Sequence, residues 1–405
     1  SIAWQQLEGP AVTLDTTDSY VALFVAPAVA RDTVVRLRAT LTTTLGQTAS
    51  DEVLVLVERH PQAAAGDAGA LWAGNHVSRV FAYRPAGPYA GVLARCVYDS
   101  GLATARLCPL AQLPFLAQDV AAAGATVPSV EQVMDRVVVS HEWAGRNFET
   151  FLREHDGGGH YRRLLMSTTA VVIGAQVRPS FYYAVTGAIY LDADNFWLTP
   201  EERDTVNEAP DYRSGFGSTL QYTTLWRYVR GSTSTVAWPF AAAYGSRRLV
   251  LNLGRLGHRW VEGDLEAIND LLLHELAHSL DFLPPAAYAA LDAATSPWGN
   301  VAPRYQARQL ASDLVPAAYP LASAEMAALA QVRFLGATAS ALQAAYTPAQ
   351  VAGFFSADLA TDDYAYASPR EDVALLLEEF LMQRWRGVRR DSAVVPRPGS
   401  ATTGP

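Results

Sequence analysis

Apolar and polar residues alternate along one early stretch: Val35, Leu37, Ala39 and Leu41, with Arg36, Arg38, Thr40 and Thr42 between them. A period of two sends successive side chains to opposite faces, so the stretch predicts a half-buried strand. Val53, Val55 and Val57 repeat the pattern, and Gly9-Pro10 and Leu45-Gly46-Gln47 supply turns. Residues 1–59 therefore read as all-β. From 129 onward the texture changes. Val130 to Glu154 carries apolar residues at helical spacing, whereas Ala170-Val171-Val172-Ile173, Ala188-Ile189-Tyr190-Leu191 and Leu249 to Leu253 read as strands. Residues 262 to about 390 read as mainly helical. The Ala- and Gly-rich stretch 60–128 reads as a β-rich connection, and 396–405, rich in Pro, Gly, Ser and Thr, as a disordered tail.

Two helices stand out. One is predicted over 264–283, capped by Asp264 and stopped by Pro284-Pro285. The other opens at Ser368-Pro369, a good cap followed by a proline at the first helical position, with Glu371 three residues after the cap. Glu371 is thereby a capping-box carboxylate as read from spacing alone. Further along, Glu378 and Glu379 lie amid Leu375, Leu376, Leu377, Phe380 and Leu381, so part of that acidic pair is expected to face inward.

The first helix carries His274-Glu275-Leu276-Ala277-His278. Histidines four apart share one helix face, one turn apart, and both can reach a single zinc ion. Glu275 would flank the open side of the metal and take a proton from zinc-bound water. A catalytic zinc needs a third protein ligand. Asp281 shares the face, but it lies roughly 10 Å along the axis from His274 at helical rise. It is expected to act as a hydrogen-bonding support instead.

Composition narrows the remaining classes. The chain has 405 residues, half of them hydrophobic, and a formal net charge of -9. A dispersed acidic excess argues against nucleic-acid binding. Every basic residue is arginine. No apolar run reaches the roughly 18 residues of a membrane span. Asp156-Gly157-Gly158-Gly159-His160 lacks the ending of a phosphate loop and reads as a connection. Asp192, Asp194 and Asn195 fit an Asx-capped turn better than a calcium loop. The two cysteines, Cys96 and Cys108, flank Asp99-Ser100-Gly101. They fit a disulfide-closed hairpin in an oxidising compartment, or else two buried thiols.

Two resemblances follow. The string from Trp4 through Gly9-Pro10, Phe24-Val25-Ala26-Pro27, Leu45-Gly46 and Ser50-Asp51 to Val57 looks like an immunoglobulin-like module of the PKD type. Such modules are common on exported bacterial enzymes. His274-Glu-Leu-Ala-His278-Ser-Leu-Asp281, followed by a Tyr-rich segment and Glu371-Asp-Val-Ala, resembles a gluzincin metallopeptidase, in the flavour of the anthrax lethal factor group. That resemblance implies Glu371 as third zinc ligand, with Glu378 as the alternative, and Tyr364 or Tyr366 as oxyanion donor. The acidic residue usual four positions after the third ligand is Leu375 here. It also implies an edge strand that binds the substrate backbone, for which Leu249 to Leu253 is the candidate.

The expected architecture is multi-domain. An all-β immunoglobulin-like sandwich (1–59) and a connection (60–128) precede an α+β zincin-like metallopeptidase domain (129–395). The expected activity is hydrolysis of peptide bonds in a peptide or protein substrate, in a periplasmic, outer-surface or secreted bacterial protein. The alternatives are a surface binding or adhesion protein with a structural or inactive zinc domain, and a zinc hydrolase of non-peptide amides.

Overall fold

The structure is a computed structural model. It describes residues 1–29, 33–57, 80–98, 107–198, 202–203, 205–206, 212–213, 215–230, 235–236 and 267–397. Among these residues the fold is mixed α/β, and no helix is long and apolar enough to cross a membrane. The chain divides into two compact units, Ser1–Ala209 with Val261–Ile268, and Pro210–Trp260 with Asn269–Pro405.

The first unit opens with three antiparallel strands in sequence order, β1 (Ile2–Glu8), β2 (Thr33–Thr42) and β3 (Thr48–Val57). The alternation along β2 decides which face is covered: Val35 and Leu37 are buried with Val57, against Val12, Leu14, Phe24 and Val29. On the other face Arg38 pairs with Glu52 at 2.6 Å across the β2–β3 register.

A second, five-stranded sheet follows. Its strands are β4 (Phe81–Ala82), β5 (Val137–Val139), β6 (Val171–Gly174), β7 (Phe181–Tyr183) and β8 (Ala188–Asp192), in the order β4-β5-β6-β8-β7. β5, β6 and β8 run parallel, and β4 and β7 are antiparallel edges. The central strands are apolar on both faces and fully buried, as parallel strands under helices must be. The described helices of this unit include α1 (Leu93–Val97), α2 (Leu116–Ala122), α3 (Val130–Met134), α4 (Glu142–His155) and α5 (His160–Leu164).

Three expectations are corrected here. The helical reading of Val130 to Glu154 is interrupted by β5, because Val137-Val138-Val139 is a β-branched run that fills the sheet centre. The boundary drawn at 128/129 runs through one sheet and one core: Leu93, Cys96 and Cys108 pack with Val138, Val172 and Tyr190. The stretch 129–395 is therefore divided between the two units rather than forming one domain. Cys96 and Cys108 are disulfide-bonded, Cα to Cα 5.5 Å, but Cys96 lies on α1 and not on a hairpin strand. The intervening turn at 99–101 lies outside the described residues.

Asp192 caps the short turn Ala193–Asn195 by accepting the Asp194 N–H. Arg178 pairs with Asp192 and Arg203 with Asp194. Those cations already neutralise the carboxylates, in keeping with a capped turn rather than a calcium loop.

The second unit contains a three-stranded antiparallel sheet, β10-β9-β11, built from β9 (Tyr222–Arg230), β10 (Thr235–Val236) and β11 (Val388–Pro396). β11 was not foreseen, and it occupies the first residue of the expected tail. The rest of that tail, from 398, lies outside the described residues, as do Asp264 and the candidate strand Leu249 to Leu253. Seven helices of this unit are described: α6 (Ala267–Phe282), α7 (Pro297–Gln306), α8 (Ala311–Ala318), α9 (Ala324–Phe334), α10 (Ala341–Ala344), α11 (Pro348–Phe354) and α12 (Pro369–Arg386). A short 3-10 turn, Asp363–Ala367, leads into α12.

Candidate metal centre

α6 is apolar enough to be buried along most of its circumference. Leu272, Leu273, Leu276 and Ala277 are inaccessible, which leaves His274 and His278 on the face that keeps some solvent access. The two imidazoles stand edge to face, ring centres 4.9 Å apart, as the one-turn spacing requires.

α12 brings the carboxylate. Ser368 caps it by accepting the Glu371 N–H, so the backbone of Glu371 serves the cap. Its side chain does not return to the Ser368 backbone as a capping box would. Instead Glu371 Oε2 lies 3.0 Å from His274 Nε2 and 3.3 Å from His278 Nε2. The donor atoms of His274, His278 and Glu371 all fall within 4.8 Å of one another. Ligands at about 2.0–2.1 Å from a tetrahedral zinc stand roughly 3.4 Å apart, close to the two nitrogen–oxygen separations here, so the three groups could hold a metal ion. The histidines shift Glu371 well below the usual carboxylate range, against the effect of its burial.

Glu378 lies on the other side of the His274 ring. Its Oε2 is 3.1 Å from Nδ1, while Oε1 accepts from the Tyr228 hydroxyl at 2.8 Å and from Arg390. The structure therefore separates the two ligand candidates. Glu371 joins the cluster on Nε2, and Glu378 orients the ring from behind. Burial opposes a charged His274, but the two carboxylates outweigh it and hold the ring well above its ordinary pKa.

Glu275 is almost completely buried, and its Oε2 has no hydrogen-bond partner among the described residues. Burial raises its pKa to about 7, and Glu371 and Glu378 add to the rise while His274 and His278 oppose it. A carboxylate kept near neutrality in this way can both take and return a proton.

The two tyrosines part company. Tyr364 lies against the His274 ring at 6.1 Å and against Phe334 at 4.8 Å. Burial, with the Glu371 charge beside it, pushes its hydroxyl far above the ordinary range, so it is a proton donor at any neutral pH. Tyr366 is engaged elsewhere. Its hydroxyl donates to Asp358 at 2.7 Å, and its ring packs in the core formed with Leu329, Tyr346 and Val351. Asp281 likewise supports another element rather than a histidine. Its Oδ1 accepts the Ser312 N–H in the first turn of α8 at 3.0 Å.

Three contributors were not visible in the sequence. Tyr228 and Arg390 lie on paired strands outside both motifs, directly opposite each other in register. Asp362 caps the 3-10 turn by accepting the Tyr364 N–H at 2.8 Å. Only Asp362 left a trace, as an Asx residue two positions before the tyrosine.

Compared with known proteins, the chain matches no family model, no curated protein and no solved structure.

Proposed function

We propose that this chain is a zinc-dependent peptidase of gluzincin type. One observation carries the reading: Glu371, from a helix far along the chain, meets both histidines of His274-Glu275-Leu276-Ala277-His278 at 3.0 and 3.3 Å. His274, His278 and Glu371 would hold the ion. Bound zinc would polarise a substrate carbonyl and acidify a water molecule.

The protein groups then divide the remaining work. Glu275, buried next to the histidines, accepts the proton of the attacking water and delivers it to the leaving amine. Tyr364, held protonated beside the cluster, donates to the oxygen on which negative charge develops. Glu378 holds the His274 ring through Nδ1, with Nε2 toward Glu371, so that Nε2 would be available to the ion. The partial exposure of His274, His278 and Glu371 leaves an approach from solvent. A purely structural site would have no use for a buried base with an unpartnered oxygen.

The N-terminal three-stranded sheet belongs, in this reading, to an immunoglobulin-like module of the PKD type. The Cys96–Cys108 bond supports an exported protein, because disulfides persist in oxidising compartments. The substrate is a peptide or protein.

The test is zinc content, together with cleavage of an unfolded protein such as casein, for wild type and Glu275→Gln. About one zinc per chain in both proteins, with cleavage by wild type alone, is the expected result. Zinc binding without hydrolysis would favour a surface binding protein with a structural metal. No zinc in wild type would remove the peptidase reading.

A further inference from the structure

Arg390 on β11 is buried, and its guanidinium lies 4.2 Å above the Trp226 ring. It is forked over three carboxylates. Nη1 donates to Asp362 Oδ2 at 2.7 Å, Nε to Glu379 Oε1 at 2.5 Å, and Nη2 to Glu378 Oε1. Two of these carboxylates have a second engagement. Glu378 Oε2 faces His274 Nδ1, and Asp362 Oδ1 accepts the Tyr364 N–H. One guanidinium thus braces, through one carboxylate each, a metal-binding imidazole and the backbone of the candidate oxyanion tyrosine.

We propose that Arg390 is a positioning residue that fixes the His274 ring and Tyr364 relative to each other. The proposal rests on the metallopeptidase reading above. Buried ion networks contribute little net stability, since desolvation offsets most of their attraction. What a buried arginine supplies is direction: its planar fork holds several acceptors at set angles, which a lysine ammonium cannot do. Here that direction is shared between the two groups whose placement the reaction needs. Glu379 completes the fork and also accepts from Tyr228 at 2.9 Å.

The experiment compares wild type, Arg390→Lys, Glu378→Gln and the double variant. Zinc affinity is measured by chelator competition, and kcat and KM on an unfolded protein substrate at saturating zinc. Lysine keeps the charge and removes the fork. The expected result is zinc affinity weakened about tenfold in Arg390→Lys, as for loss of a supporting group. The double variant should bind zinc no more weakly than Glu378→Gln, because the arginine acts on the metal through that glutamate. The kcat should fall further in Arg390→Lys than in Glu378→Gln, because the Tyr364 arm is released as well. If Arg390→Lys fails to fold, Asp362→Asn replaces it, and a lower kcat with unchanged zinc affinity is expected. Wild-type zinc affinity and kcat in Arg390→Lys, or in its replacement a wild-type kcat, would overturn the proposal alone. Absence of zinc binding by wild type would overturn the peptidase reading and the proposal with it.

Discussion

Glu378 Oε2 stands 3.1 Å from His274 Nδ1, across the imidazole from the nitrogen that faces Glu371. One histidine is thus held between two carboxylates of the same helix, two turns apart on α12. The carboxylate on Nε2 shares the site where an ion would bind, and the one on Nδ1 fixes the ring and raises its basicity as a ligand.

The two glutamates should therefore fail differently. In the proposed site Glu371→Ala would remove one of three ligands, and it is expected to abolish stoichiometric zinc binding at micromolar metal. Glu378→Gln leaves all three ligands and should weaken zinc by about 10- to 100-fold. Chelator competition on the purified variants checks both. Equal losses in the two would mean that both carboxylates ligate, or that neither does.

Tyr364 and Tyr366 offer a contrast within three residues. Tyr364→Phe removes the hydroxyl beside the histidines, so kcat should fall by about two orders of magnitude with zinc affinity and fold unchanged. Tyr366→Phe breaks the bond to Asp358 in a different core. It should cost about 1 kcal/mol of stability and leave kcat alone. Steady-state kinetics and urea unfolding separate the two, and reversed results would exchange their roles.

Much of this site could be read from the chain because its determinants are local. The i, i+4 histidines, the Ser368-Pro369 start of α12 and the alternation along β2 are each written within a few residues. The rest depends on pairing between distant segments. Whether Glu371 completes a cap or joins the histidines is decided by how α12 lies against α6, and its local spacing points to the cap. Arg390 stands in an arginine-rich stretch, and only the β9–β11 register turns it toward Glu378. Val137-Val138-Val139 was lost inside a helical pattern because short apolar runs have no period of their own.

The Cys96–Cys108 bond closes a loop of 12 residues in sequence separation, between two buried side chains. Replacing both cysteines with serine should cost the first unit about 2–3 kcal/mol. The candidate metal cluster of His274, His278 and Glu371 lies in the second unit, so zinc content after mild reduction should stay at the wild-type value. Denaturant unfolding and metal analysis of the reduced protein test the pair of outcomes, and parallel loss of zinc would contradict them.

Glu275 makes the sharpest pH prediction. Burial raises it from an ordinary 4.5 to about 7 in the metal-free protein. Between those values the folded chain binds more protons at this residue than the unfolded chain does. Stability follows the protons bound by the unfolded state minus those bound by the folded state, so the Glu275 contribution falls as pH rises from about 4.5 to about 7. The fall should be on the order of 2–3 kcal/mol for a shift of this size. Glu275→Gln keeps the shape and has no proton to lose. In urea unfolding of EDTA-treated protein at pH 5 and pH 8, wild type should lose more stability than Glu275→Gln by that margin. The variant should also be the more stable of the two at pH 8, while remaining inactive when zinc is restored. Zinc should move the wild-type fall to lower pH, because a cation beside the carboxylate favours its charged form. Identical pH dependence in the two proteins would show that Glu275 is already ionised at pH 5, and so not held near neutrality for proton transfer.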